Sequence, residues 1–183
     1  MARFSLIYQR RKVDAMLISC TKKIADSLNI KMFEVVPIRR EPLFEWHANL
    51  FEYQNRKGVI MMNNQTRYSV VLYGLLAEQF QMFKTLLLFA IELTFCAEGF
   101  RDDVIARYLR QAGEVVFVQS NDRSILSQMN YIQYHLERRI ERQLPSENIY
   151  MIELSKELSR LPMEKHLNNR APIELLWEGM HEV

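Results

Sequence analysis

Hydrophobic and polar positions along the chain follow two alternating rhythms. Val59-Ile60-Met61-Met62 and Val70-Val71-Leu72 are short, continuous apolar runs, too apolar to face water on one side, and they read as central β-strands, while Val115–Val118 is a short β-branched and aromatic strand run. Met16–Thr21 (MLISCT) reads as a further short buried strand. Ala48–Tyr53, Gly58–Met62 and Tyr68–Tyr73 form a β-rich centre. Their separators, Gln54-Asn55-Arg56-Lys57 and Asn63-Asn64-Gln65-Thr66, carry the turn chemistry of antiparallel hairpins.

Elsewhere the apolar residues recur at three- and four-residue steps. Lys22–Leu28 predicts a brief helix with Thr21 at its N-cap. Leu75–Ala97 predicts a long one, buried through Phe80, Phe83, Leu87, Ile91 and Phe95 and ended by Glu98-Gly99. Leu86, Leu88 and Phe89 widen its apolar surface, so it is expected at the centre of a core or at an interface with a protein partner or a second copy of the chain. Asp102–Gln111 is a helix with acidic residues in its first turn and Gly113 just beyond its end. Ile149–Leu161 and Pro172–Met180 are amphipathic helices stopped and started by prolines. Glu114–Gln143 joins a strand to a long helix. There the Val115–Val118 strand passes through Ser120-Asn121-Asp122, a helix start with Asn121 as the expected cap, into a stripe of Ile125, Met129, Ile132, Leu136 and Ile140 that Pro145 closes. Arg123, Ser127, Asn130 and Tyr134 form a second stripe nearly opposite the first.

The order of elements predicts an α+β fold: a single domain with a mostly antiparallel sheet of about five strands, packed with helices. The 183 residues suffice for one sizeable core, and a 49% hydrophobic content with five glycines and five prolines argues against disorder. Residues 1–15 are expected to be a peripheral extension, and residues 16–183 the domain.

Charge narrows the function classes. The chain has 24 basic and 22 acidic residues, a net +2, so it has no general drive towards nucleic acid or anionic membrane. Nucleic acid is therefore not indicated, although local basic clusters such as Arg10-Arg11-Lys12 and Arg39-Arg40 leave it open. Arg138, Arg139 and Arg142 alternate with Glu137 and Glu141, the pattern of a solvated helix face. The most apolar stretch, Leu86–Ile91, is cut by Glu92 and falls far short of the roughly 20 residues that span a bilayer, so no membrane is expected. The first residues have the wrong order for a signal peptide. Cys20 and Cys96 are isolated among apolar neighbours and read as buried free thiols, which suits a reducing cytoplasm. No Cys/His cluster suggests a metal, and no glycine-rich phosphate cradle suggests a nucleotide cofactor.

Four segments together carry a resemblance. They are MLISCTKKIADSLNI, the WHANLFEYQNRKGVIMMNNQT of Trp46–Thr66, SNDRSILSQMN at Ser120–Asn130 and ELSRLPM at Glu157–Met163. They resemble a family of small, mostly bacterial proteins known only as a domain of unknown function, with W-[HY]-A-N-L and N-[RK]-S-[VI]-L-x-x-M-N segments. The resemblance runs from Met16 to roughly the C-terminus. The chain departs from it at Ser127, where glycine or another small residue is expected, and at Tyr131, where an acid is usual. The resemblance implies domain limits and no activity.

The candidate ligand-binding residues are Arg123, Ser127, Asn130, Asn49 and His47. The guanidinium suits a phosphate or carboxylate in fork geometry, and the two amides suit an uncharged polar ligand. The competing assignment is structural, with a cap at Asn121 and loops pinned by Arg123 and Asn130. His47, beside Trp46, is the one histidine placed to act as a base; His135, His166 and His181 lack any ligand or catalytic spacing. The expected function is a noncatalytic cytoplasmic binding or interaction module. The alternative is an enzyme acting on nucleic acid or nucleotides, with a pocket around Arg123, Asn130, Asn49 and His47.

Overall fold

The computed structural model describes residues 15–28, 41–144, 148–163 and 167–183. Its strands are β1 (Ala15–Cys20), β2 (Glu45–Tyr53), β3 (Arg56–Asn63), β4 (Ser69–Leu75) and β5 (Glu114–Gln119). Its helices are α1 (Lys22–Leu28), α2 (Ala77–Gln81), α3 (Phe83–Ala97), α4 (Asp102–Ala112), α5 (Arg123–Glu137), α6 (Ile152–Leu158) and α7 (Pro172–His181). The strands form one sheet in the order β4-β3-β2-β1-β5, and with its covering helices this is the expected α+β fold. β2, β3 and β4 make an antiparallel meander, while β1 pairs in parallel with both β2 and β5. The expected extension before Met16 lies outside the described residues except for Ala15, which belongs to β1 and is fully buried.

Strand alternation divides the sheet into two faces. One face carries Met16, Ile18, Trp46, Ala48, Val59, Met61, Val70, Leu72 and Val115, and α1, α2, α3, α4 and α7 pack on it. Phe95 lies at the heart of this core, against Trp46, Tyr68, Phe100 and Tyr108. The three polar tips here are satisfied, since Trp46 Nε1 donates to Tyr108 Oη at 2.9 Å, Tyr108 donates to the Leu43 carbonyl at 2.9 Å and Tyr68 donates to Glu98 Oε1 at 2.7 Å. Phe51, Ile60, Met62, Val71 and Tyr73 occupy the other face, under Ile125, Met129, Ile132 and Leu136 of α5 and Leu154 and Leu158 of α6.

Three local features depart from expectation. The first hairpin closes on two residues, Gln54 and Asn55, both at positive φ (47° and 60°), so the twist of the strands is matched by a turn tighter than the four-residue separator. The long helix expected over Leu75–Ala97 is two helices that meet at Met82 (φ −104°, ψ 22°). Leu75 closes β4, and the Leu76 N–H is capped by Gln79 Oε1 at 2.6 Å. Nothing in the composition marks the break, because the apolar pattern continues through it. α3 places most of its apolar surface inside the fold, with Leu87 and Ile91 fully buried; Phe89 stays 44% exposed and meets Tyr150 edge to face. Finally, α5 ends at Glu137 and a 3-10 turn follows at Ile140–Gln143, yet Ile140 still completes the buried stripe. Pro145, the expected stop, lies outside the described residues.

β4, whose run Val70-Val71-Leu72 was expected in a central strand, is an edge strand that is apolar because both of its faces are covered, and the chain after residue 148 closes it. The Tyr73 N–H donates to the Ile149 carbonyl at 2.9 Å, and the Met151 N–H to the Val71 carbonyl at 3.0 Å. The Ser155 and Ser159 hydroxyls, both fully buried, accept the N–H groups of Val71 (2.9 Å) and Ser69 (3.0 Å). A helical segment thus caps a strand edge that would otherwise be open to pairing with another chain. Of the two cysteines, Cys20 is buried as expected; Cys96 is exposed, because it sits on the outer side of α3 near its end.

Candidate functional site: a polar crevice at the ends of the parallel strands

β1 leads into α1 on one face of the sheet, and β5 leads into α5 on the other. Chains that part in this way leave a crevice at the carboxyl ends of neighbouring parallel strands, the usual ligand position in open α/β sheets. The Thr21 N–H donates to the Ala48 carbonyl (3.2 Å) and the Ser120 N–H to the Cys20 carbonyl (2.9 Å), so the parallel pairing carries one residue past each ladder. That register sets Asn49, Thr21 and Ser120 abreast on three neighbouring strands. Strand alternation directs them to the face that α5 covers, with His47 one step earlier on β2.

The hydroxyl oxygens of Thr21 and Ser120 are screened from water and have no hydrogen-bond partner among the described residues. Thr21 therefore does not cap α1 with its side chain as expected. Asp122, rather than Asn121, caps α5, its Oδ1 accepting from the N–H groups of Ser124 (2.8 Å) and Ile125 (3.1 Å). Its carboxylate also acts electrostatically on His47 and Arg67, which places negative charge at the crevice mouth.

His47 is 3% exposed. Asn64 Nδ2 donates to Glu45 Oε2 at 3.1 Å, which orients the amide so that Asn64 Oδ1 faces His47 Nδ1 at 2.7 Å. The proton therefore sits on Nδ1, and the lone pair on Nε2. Burial lowers the imidazole's pKa from its ordinary value; the Asn64 bond and Asp122 oppose that shift, and Arg67 adds to it. A neutral imidazole is the result. Arg67, at φ 63°, donates from Nε to Gln128 Oε1 at 2.7 Å and from Nη1 to the Asn64 carbonyl. The loop that holds Asn64 and Arg67 is built by Asn63, whose Oδ1 accepts from the N–H groups of Gln65 and Thr66 (3.0 Å each) while its Nδ2 donates to Leu43 O at 2.8 Å.

The expected constellation divides at this point. His47 is buried and Asn49 half-buried, both on the sheet face beneath α5. Arg123, Ser127 and Asn130 are exposed on the outer side of α5, away from its buried residues Ile125, Gln128, Met129 and Ile132. None of the three has a hydrogen-bond or ion-pair partner among the described residues, so they pin no described loop. They do not close a pocket with His47 and Asn49.

The chain matches a family described as a domain of unknown function, DUF6933, over residues 17–175. It belongs to that family. No curated protein matches the chain. Within this DUF6933 domain the family-like WHANL segment is two half-patterns: Trp46, Ala48 and Leu50 serve the core, and His47 and Asn49 serve the crevice. Sequence reasoning missed Asn64, Arg67 and Gln128. Their roles come from contacts 17 and 61 residues apart in sequence, and the only local signal was the asparagine-rich turn. Among the described residues no cluster of His, Cys, Asp and Glu could hold a metal ion, and no helix is long and apolar enough to cross a membrane.

Proposed function

We propose that this DUF6933 protein is a binding module that takes a small, uncharged polar ligand in the crevice between Thr21, Ser120, Asn49 and His47. The observation that carries the reading is the pair of screened, unpartnered hydroxyls of Thr21 and Ser120. Buried polar groups are nearly always paired, and an orphan costs stability unless something else bonds to it. Two orphans side by side at a strand-end crevice support a ligand that supplies the missing bonds. The neutral imidazole with an open Nε2, next to the Asn49 amide, adds an acceptor and a donor without net charge, which favours an uncharged partner. A bacterial cytoplasm is the proposed setting, and the unpaired thiols of Cys20 and Cys96 fit it.

The test is thermal unfolding of the wild type and of a Thr21→Val/Ser120→Ala variant against a panel of nucleosides, free bases, sugars and amides. A ligand at about a hundred times its Kd stabilises by about 2.7 kcal/mol, or roughly 5–10 °C in Tm for a domain of this size. The double variant should lose that shift. Equal shifts in both proteins, or none from the whole panel, would refute the proposal.

The Glu45–Asn64–His47 chain supports a second, catalytic reading in which His47 Nε2 acts as a general base on a nucleotide or nucleic-acid ligand. Mass spectrometry of a bound panel member after long incubation separates the two. Turnover that His47→Gln abolishes, while binding persists, selects catalysis; an unchanged ligand selects binding alone.

A further inference from the structure

A second concavity, a cleft of about 370 Å³, lies where the β2–β3 hairpin meets α1 and α2, and it shares no lining residue with the crevice. Arg56, Lys57, Ser27, Gly74, Leu76 and Phe80 line it. Its two cations are held in place by aromatic faces. Arg56 Cζ lies 5.4 Å from the centroid of Tyr73, and Lys57 Nζ lies 5.8 Å from that of Phe80. Neither has an ion-pair or hydrogen-bond partner among the described residues. Glu52 stands opposite Lys57 in the hairpin register, yet the two form no ion pair. Among the described residues the positive charge therefore has no counter-charge.

The backbone reserves room for this arrangement. Gly74 has φ +79°, and a Cβ there would fall 2.6 Å from Arg56 Nη2. A side chain at this position would both strain the strand end and expel the guanidinium. The lining also has an apolar part, with Phe80, the ring beneath Lys57, buried and Leu76 65% exposed. Two exposed cations, each lying over an aromatic ring, beside an exposed leucine and a phenylalanine match one chemical class.

We propose that this cleft binds a small organic anion, a carboxylate or phosphate monoester carrying a short apolar body. The guanidinium and ammonium take the anionic head, and Leu76 and Phe80 take the body. The inference is independent of the crevice reading.

Calorimetric titration at low salt tests it with phenyl phosphate, benzoate, inorganic phosphate and benzyl alcohol as probes. Phenyl phosphate or benzoate should bind, inorganic phosphate more weakly, and benzyl alcohol not at all. Arg56→Gln/Lys57→Gln should weaken the organic anion at least about tenfold, the effect of losing charge-assisted bonds. Gly74→Ala should weaken it in the same direction. If the double variant fails to unfold cooperatively, Lys57→Met, which keeps the packing on Phe80 and loses the charge, replaces it and should show the same loss. Equal affinity in wild type and variants, equal binding of benzyl alcohol, or no binding of either organic anion would overturn the proposal.

Discussion

Along β4 the hydroxyls of Ser155 and Ser159 close the sheet, each accepting a strand N–H, with Ser155 also donating to the Met151 carbonyl at 2.8 Å and Ser159 to that of Ser69 at 3.2 Å. At the ends of β1 and β5 the hydroxyls of Thr21 and Ser120 are just as screened from water, yet bond to nothing among the described residues. The chemical group is the same in both places and its state is opposite. The antiparallel border uses its hydroxyls for structure, so that every donor finds an acceptor. The parallel-strand ends leave theirs unsatisfied, at a cost to stability that has no structural return. Burial of a polar side chain therefore says little about its role until its bonds are traced.

The contrast can be broken most directly at the β4 edge. Ser155→Ala and Ser159→Ala each leave a buried strand N–H unpaired, and each should destabilise by about 1–3 kcal/mol, read from urea unfolding. Losses near zero would mean that water replaces the serines and that the two borders do not differ. The opposite sign is expected at the crevice. Thr21→Val and Ser120→Ala remove orphan hydroxyls, and each should leave stability unchanged or raise it by up to about 1 kcal/mol. A destabilisation like that at Ser155 would show that these hydroxyls are structural after all.

The smallest effect concerns pH. Burial holds the His47 imidazole below its ordinary value of 6.5. As pH falls below that value, the unfolded chain takes up a proton that the folded chain still refuses, so stability declines on acidification until the folded imidazole also titrates. His47→Gln should flatten this decline between pH 7 and pH 5 relative to wild type, measured by urea unfolding across that range. Parallel curves for the two proteins would show that His47 is not the group responsible.

The sheet was legible because its apolar runs are short, continuous and punctuated by asparagines; Val59–Met62, Val70–Leu72 and Val115–Val118 are all strands, but only the first is central, since β4 and β5 are the sheet edges and helices covering both faces account for the apolar run of β4. The break at Met82 was not legible. It arises from how α2 and α3 pack, with no glycine or proline to mark it. At the crevice, His47 and Asn49 were named on sequence grounds, and Ser120 and Thr21 were read only as helix caps. The outer row of α5 was joined to them on residue type alone, although it lies nearly opposite the apolar stripe that faces the sheet. Gln128 bears on the same point: it is 4% exposed and bonds to Arg67, so the buried arc of α5 runs through it and Arg123, Ser127 and Asn130 face out.

The serine pair that caps β4 also acts as a vernier. Four residues of helix rise about 6 Å, and two residues of strand about 6.7 Å, so Ser155 and Ser159 fall in step with Val71 and Ser69 in only one alignment. Slipping β4 by one residue would offer the serines the wrong backbone groups. The position of this strand is thus read from outside the sheet, by chain that is synthesised 84 to 90 residues later. In a nascent chain lacking that segment β3 alone pairs with β4, and the serines add a second, independent check on its register when α6 arrives.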